Sequence, residues 1–271
     1  MSDFLDTMAA SSRARADALP ARWDSSSLDK PVYPLRLAGF DLIAEIKDNS
    51  PAEGRLAAAD ANRTTRAAAY VQGGAAAISV LTEPDRFAGE LAHVEDVVAA
   101  VSDQQIPVMR KDFLTDVRQV LEARSAGASG VLLIAAILDD KSLDAMLRSA
   151  LEHSMFVLLE AFDADDLERC SAVARGAFES AATDGQLLVG VNTRNLRTLE
   201  VDAARLERLS GDLPAGAIAV AESGLKEAAD AARVAQLGYR MGLVGTALMR
   251  SSDPAALVAD MLVAGRQAVA A

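Results

Sequence analysis

The stretch Asp41-Leu42-Ile43-Ala44-Glu45-Ile46-Lys47-Asp48-Asn49-Ser50-Pro51-Ala52-Glu53-Gly54 decides the fold. Its first seven residues read as a strand that ends in two charges. Successive strand side chains point to opposite faces, so Glu45 and Lys47 share one face and Ile46 takes the other. Ser50-Pro51 and Gly54 then break the pattern with turn chemistry. An acid and a lysine at the end of a buried strand are costly unless they pair or take part in chemistry. In parallel α/β proteins that end is where chemistry sits. A surface ion pair at a strand end is the plainer alternative.

Outward from this strand a rhythm appears. Apolar runs at Leu42–Lys47, Ala75–Leu81, Pro107–Lys111, Gly130–Ala135, Met155–Glu160, Leu187–Asn192, Ile218–Glu222 and Met241–Val244 read as strands. Between them, Ala61–Gln72, Leu91–Val101, Val117–Ala126, Leu143–His153, Ala164–Ala172, Ala203–Leu209 and Lys226–Leu237 read as helices, and Pro254–Val269 as a last one. Gly73-Gly74, Gly127 and Gly238 fall where helix C-terminal glycines belong. Each strand-to-strand step has the length of a βα unit. About eight such units predict a (β/α)8 (TIM) barrel over residues 41–271. An open doubly wound sheet is the alternative, but no Gly-x-Gly-x-x-Gly follows the first strand. Residues 1–40 read as an N-terminal extension that caps the barrel, with a helix over Ser11–Leu19 ending before Pro20 and a connector over Trp23–Pro34.

Composition narrows the function. Hydrophobic residues make up 51% and charged residues 24% of the 271, which describes a globular protein with a real core. No apolar run approaches the ~20 residues that span a bilayer, so no membrane partner is expected. Met-Ser-Asp-Phe-Leu-Asp at the start lacks the basic and apolar pattern of a secretory signal. The formal net charge of −12, without a basic cluster, argues against nucleic acid. Cys170 is the single cysteine, which excludes an internal disulfide and points to the cytoplasm. His93 and His153 are the only histidines, too few for a zinc site; His153 reads as a helix C-terminal residue. A monomer is the expected state.

Reactive side chains gather at the C-terminal ends of the strands. The ends carry Glu45 and Lys47; Thr82-Glu83; Arg110-Lys111-Asp112-Phe113; Glu160; Asn192-Thr193-Arg194-Asn195; Glu222-Ser223-Gly224; and Gly245-Thr246. Any one of these fits a rim or capping residue, but their joint placement fits a barrel active site. In barrels the loops after the last two strands often bind phosphate through backbone N–H groups, and Ser223-Gly224 and Gly245-Thr246 supply the small residues this needs. The predicted ligand is a small monophosphate such as a sugar phosphate. Lys47 and Lys111 then share one mouth with Glu45, Glu160 and Glu222. A lysine held charged by carboxylates suits general-acid work beside a glutamate base. A Schiff base is the competing role for lysine, and the residues alone leave both open.

The motifs together resemble one family. Glu45-Ile-Lys-x-x-Ser50-Pro51, Ser79-Val-Leu-Thr-Glu83 with Phe87, Pro107-Val-Met-Arg-Lys-Asp-Phe113 and Glu122-Ala-Arg-Ser-Ala-Gly-Ala128 leading to Val131-Leu-Leu-Ile134 resemble the early motifs of indole-3-glycerol phosphate synthases. Gly190-Val-Asn-Thr-Arg-Asn-Leu196, Ala221-Glu-Ser-Gly-Leu-Lys226 and Val244-Gly-Thr-Ala-Leu-Met-Arg250 resemble the later ones. The resemblance covers roughly residues 41 to 260, in order and at barrel spacing. It implies a lyase of tryptophan biosynthesis that cyclises, decarboxylates and dehydrates 1-(2-carboxyphenylamino)-1-deoxyribulose 5-phosphate, a small-molecule substrate. No metal or organic cofactor is implied. By the resemblance, Lys111 is the general acid at the ketone oxygen, and Lys47 holds the anthranilate carboxylate and can donate a proton in dehydration. Glu160 is the base or stabilises developing positive charge. Glu45, Asn192 and Glu222 orient the lysines and sugar hydroxyls. Ser223, Gly224, Gly245 and Thr246 hold the phosphate. Phe87, Phe113, Leu132 and Leu196 pack the aromatic ring, Arg194 supports the site, and Ser50 contributes from the first loop.

Some residues depart from the family pattern. Phe162 stands where a His or Asn is usual two residues after the strand-five glutamate, and Glu53 stands where many members have lysine. The N-terminal segment differs from the usual lysine-rich first helix, which helps cover substrate. These departures would suit a paralogue with the same chemistry in an indole-derived side pathway, or a barrel that binds a phosphate ligand without turnover. A phosphosugar isomerase would need a different acid–base pair from Lys47, Lys111 and Glu160. Residues 48–59 are expected to form a mobile lid, being loop-like and next to Lys47.

Overall fold

In the computed structural model, residues 4–50, 54–56, 62–196 and 200–270 are described. Eight parallel strands close a barrel: β1 Asp41–Ile46, β2 Ala77–Leu81, β3 Val108–Lys111, β4 Gly130–Ile134, β5 Phe156–Ala161, β6 Leu187–Asn192, β7 Ile218–Glu222 and β8 Met241–Val244. Each strand pairs with its neighbours in sequence, and β1 closes the ring by pairing Asp41 with Met241 and Ala44 with Val244. Closure leaves no edge, and the expected barrel is found in place of an open sheet. The observed strands start and stop within two residues of the expected ones.

The period of two divides the side chains between two apolar cores. Ile43, Ala77, Met109, Leu132, Leu158, Leu188, Val220 and Leu243 point into the barrel and pack with one another. Leu42, Ala44, Val80, Val108, Leu133, Leu159, Val189 and Val244 point outward into a larger core beneath the helices. Both faces are covered, which is why the strands read as unbroken apolar runs.

The covering helices are α1 Phe4–Asp17, α2 Arg63–Gly73, α3 Leu91–Val101, α4 Val117–Ser125, α5 Asp140–Glu152, α6 Ala164–Arg175, α7 Arg205–Arg208, α8 Ala228–Gln236 and α9 Pro254–Ala270. Their starts obey side-chain chemistry. Asn62 caps α2, and Asp116 and Gln119 form a reciprocal capping box at α4. Gly74 ends α2 with φ +95°, a left-handed turn that suits glycine.

Three sequence readings are corrected. The first helix spans Phe4–Asp17 rather than Ser11–Leu19, because Leu5, Met8 and Ser12 form its buried face. The helix expected over Ala203–Leu209 is a single turn, Arg205–Arg208. The connector after Trp23 contains one 3-10 turn, Ser25–Leu28. Short helices at Pro84–Phe87, Glu179–Thr183 and Thr246–Arg250 were not foreseen, nor was a small ribbon pairing Asn49–Ser50 with Gly54–Arg55. Ala61, Pro51 and Glu53 lie outside the described residues, as does much of the 48–59 stretch.

Candidate active site

Parity places the chemistry. Position 43 of β1 faces the barrel interior, so Glu45 and Lys47 do too. The same counting brings Lys111 in from β3, Glu160 from β5, Asn192 from β6 and Glu222 from β7. They surround a cavity of about 780 Å³ at the C-terminal ends of the strands. Every residue given a catalytic or substrate-binding role from the sequence lines this cavity: the six above, Ser50, Phe87, Phe113, Leu132, Arg194, Leu196, and the loop residues Ser223, Gly224, Gly245 and Thr246.

Lys111 holds the axis. β3 and β7 lie on opposite sides of the ring, and the Lys111 ammonium reaches across it. It lies 3.3 Å from Glu160 Oε2 and 3.4 Å from Glu222 Oε2. Asn192 Nδ2 donates to the same Glu160 oxygen at 3.1 Å, and Asn192 Oδ1 accepts from the Arg194 backbone N–H at 2.9 Å. Asn192 therefore links the end of β6 to the acid–base cluster. On the far wall, Lys47 Nζ pairs with Glu45 Oε1 at 2.7 Å. The two charges at the end of β1 are thus a partly buried pair inside the mouth, not a pair on the surface.

Burial sets the proton distribution. Glu160 and Glu222 are almost fully buried, and no N–H or O–H of another side chain or of the backbone reaches Glu160 Oε1 or Glu222 Oε1, which leaves the two carboxyl groups to share a proton. Such oxygens carry a desolvation cost that ordinary cores avoid. Burial, and then the neighbouring Glu160 charge, push the Glu222 carboxyl well above the carboxylate range; Lys111 opposes this only in part. Burial alone would lower the Lys111 ammonium. The Glu160, Glu222 and Glu45 carboxylates outweigh it, and Lys111 titrates above its ordinary value. The cluster is a charged lysine facing two carboxyl groups, one of which favours its proton.

Two glycines make room for it. A Cβ at Gly190 would collide with Glu222 Oε1, and one at Gly245 with Glu45 Oε1 and Lys47 Nζ. Gly190 sits on an inward position of β6, beside Glu160 in the ladder. Its missing side chain is the space that the Glu222 carboxyl fills.

The loops after β7 and β8 form the other end of the cavity. Ser223 has φ +67° and Gly224 φ +81°. A left-handed serine is strained, and strain of this kind gathers at functional sites. Gly245-Thr246 opens the short helix Thr246–Arg250. Apolar residues wall the remaining side. Phe113 lies 6.1 Å from Phe4 and 6.3 Å from Phe87 between ring centroids. Phe162, two residues after Glu160, is buried in the same apolar cluster as Phe113 and Leu196 but does not line the cavity.

Sequence reasoning missed several lining residues, among them Phe4, Lys226, Arg250 and Leu257. Phe4 was the one with a signal: it shares a helical face with Met8, at the spacing of neighbouring turns.

The fold and cavity define a class: a (β/α)8 barrel with a lysine–carboxylate cluster in its mouth. A family model described as indole-3-glycerol phosphate synthase matches residues 32–261. A relative named indole-3-glycerol phosphate synthase 1, from Streptomyces coelicolor, is 42% identical over 234 residues, covering 86% of this chain and 81% of its own. Another named indole-3-glycerol phosphate synthase, from Parafrankia sp., is 41% identical over 260 residues, covering 96% and 89%. Among solved structures, 3-hexulose-6-phosphate synthase from Salmonella typhimurium aligns with a TM-score of 0.61 at 17% identity, covering 85% of this chain and 99% of that one. That likeness carries the fold alone. The chain belongs to the indole-3-glycerol phosphate synthase family.

Proposed function

We propose that this chain converts 1-(2-carboxyphenylamino)-1-deoxyribulose 5-phosphate to indole-3-glycerol phosphate with Lys111 as general acid. Family membership supports the reaction. The observation that carries the residue assignment is the Lys111 ammonium, held between Glu160 and Glu222 inside the cavity.

In this reading the phosphate rests at Ser223-Gly224 and Gly245-Thr246, and the aromatic ring lies against Phe113, Phe87, Leu132 and Leu196. The ketone then falls between them, at Lys111. Ring closure joins the carboxylate-bearing ring carbon to the ketone carbon, and the ketone oxygen takes up a proton from Lys111. A fully charged ammonium in a dry site stabilises that oxygen as its charge develops. Loss of CO₂ restores the aromatic ring, with Lys47 holding the carboxylate until it leaves. Loss of water needs a proton donor for the departing hydroxyl and a base for a proton on the neighbouring methylene carbon that bears the nitrogen. Lys47 and Glu160 fill these roles, and Glu45, Asn192 and Glu222 orient them.

The test is fluorescence detection of indole product from purified protein and this substrate. Lys111→Ala is expected to lower kcat by about a thousand-fold while leaving substrate binding within about ten-fold. Unchanged turnover in Lys111→Ala would remove Lys111 as the acid.

We further infer a cytoplasmic monomer that binds no nucleic acid. The net charge of −12 supports the last point, and the single cysteine the first. Among the described residues the exposed large hydrophobics are Leu37, Val201 and Val263, too few for a large apolar patch, which favours a monomer. No described helix is long and apolar enough to cross a membrane.

A further inference from the structure

We propose that Arg15 of α1 is a positioning residue that sets the aromatic wall of the site by gripping the two turns from which Phe87 and Phe113 project. The inference rests on the activity proposed above. Arg15 Nη2 donates to Asp112 Oδ1 at 2.6 Å, while Arg15 Nη1 donates to Ser11 Oγ at 3.3 Å on its own helix and lies 3.8 Å from Glu83 Oε1, a charge contact longer than a hydrogen bond. Both carboxylate side chains are 0% exposed, whereas Arg15 is 27% exposed. A cation from the N-terminal helix thus reaches two buried acids from outside.

Each acid shapes a turn. Glu83 accepts hydrogen bonds from the backbone N–H groups of Asp85, Arg86 and Phe87, and so builds the short helix that ends at Phe87. Asp112 Oδ1 also accepts from the Phe113 N–H at 2.8 Å, and Asp112 Oδ2 from Thr82 Oγ1 at 2.8 Å and Arg110 Nη2 at 3.2 Å. Asp112 directly follows Lys111. Arg15 therefore spans the ends of β2 and β3 at the point where the chain turns toward the two rings.

The same helix supplies a third ring. Phe4 and Arg15 are eleven positions apart, about three turns, so they share a face. Phe4 meets the Phe113 ring edge-on. Ser12 on that face accepts from Gln119 Nε2 at 2.9 Å, and Ser11 donates to Asp85 at 2.8 Å. The guanidinium thus ties the docked α1 to the turns that carry the aromatic wall. An arginine suits the task because its planar fork bonds Asp112 with one arm and Ser11 with the other while its charge faces Glu83.

Steady-state kinetics of Arg15→Ala and Arg15→Lys test this, with melting temperature measured alongside. Arg15→Ala is expected to raise KM about ten-fold with kcat within about two-fold, since the ring is held less firmly while Lys111 keeps its partners. Arg15→Lys should recover part of the loss, because it keeps the charge but not the fork. If Arg15→Ala does not fold, Arg15→Lys alone should raise KM about three-fold. An unchanged KM, or a fall in kcat at constant KM, would overturn the proposal. Absence of turnover in the unmodified protein would instead remove the proposed activity and this inference with it.

Discussion

At the scale of single residues, the site is organised by where protons rest. Burial raises the Glu222 carboxyl in the fold, so the folded chain holds a proton that the unfolded chain releases at neutral pH. This group costs no stability below its unfolded value, and stability falls as pH rises above that value toward the folded one. Glu222→Gln keeps the shape of the neutral acid and removes the titration. It is expected to melt higher than the parent at pH 8 and close to it at pH 4, while kcat falls. Thermal melts across that range would check it; an equal shift at both ends would show that Glu222 does not hold its proton in the fold. Lys111 behaves oppositely. Its raised value adds stability that is complete below the ordinary lysine value and is lost only above it, so it plays no part in that window.

At the scale of elements, the strands and most helices are legible in the sequence because their cues are local. Apolar runs, caps and terminal glycines all act within a few residues. Parity also places Glu45, Lys47, Lys111, Glu160, Asn192 and Glu222 on the inner face once the barrel is assumed. What the sequence hides is long-range. The start of α1 depends on a buried face that packs against distant loops, and Arg15 gains meaning only beside Glu83 and Asp112. Phe162 reads as a departure from the family pattern, yet in the fold it is an ordinary member of the buried apolar cluster behind the site. Element ends also offer a control far from the chemistry. Ser154, two residues beyond α5, is exposed with φ +60°, a conformation that suits glycine better. Ser154→Gly is expected to stabilise the protein by about 0.5–1 kcal/mol with unchanged turnover. Chemical denaturation reads the first and the indole assay the second.

At the scale of the whole molecule, the last helix packs on the start of the first strand, next to the seam where β1 and β8 close the barrel. Arg266 of α9 donates to the Phe40 carbonyl and pairs with Asp41 at 2.8 Å. Gly265 lies against the Phe40 ring so tightly that a Cβ would overlap it. Gly265→Ala is therefore expected to cost about 1–3 kcal/mol through overpacking while KM stays unchanged, because the contact is remote from the mouth. A melting temperature equal to the parent's would show that α9 can shift freely. The glycine at 190 has a different reach. It holds nothing in place, yet the acid at 222 occupies the volume it leaves empty. A lineage that enlarges residue 190 loses that acid's seat, and one that discards the acid frees residue 190 to grow. The two sites should be inherited as a unit, a trait carried jointly by neighbouring strands.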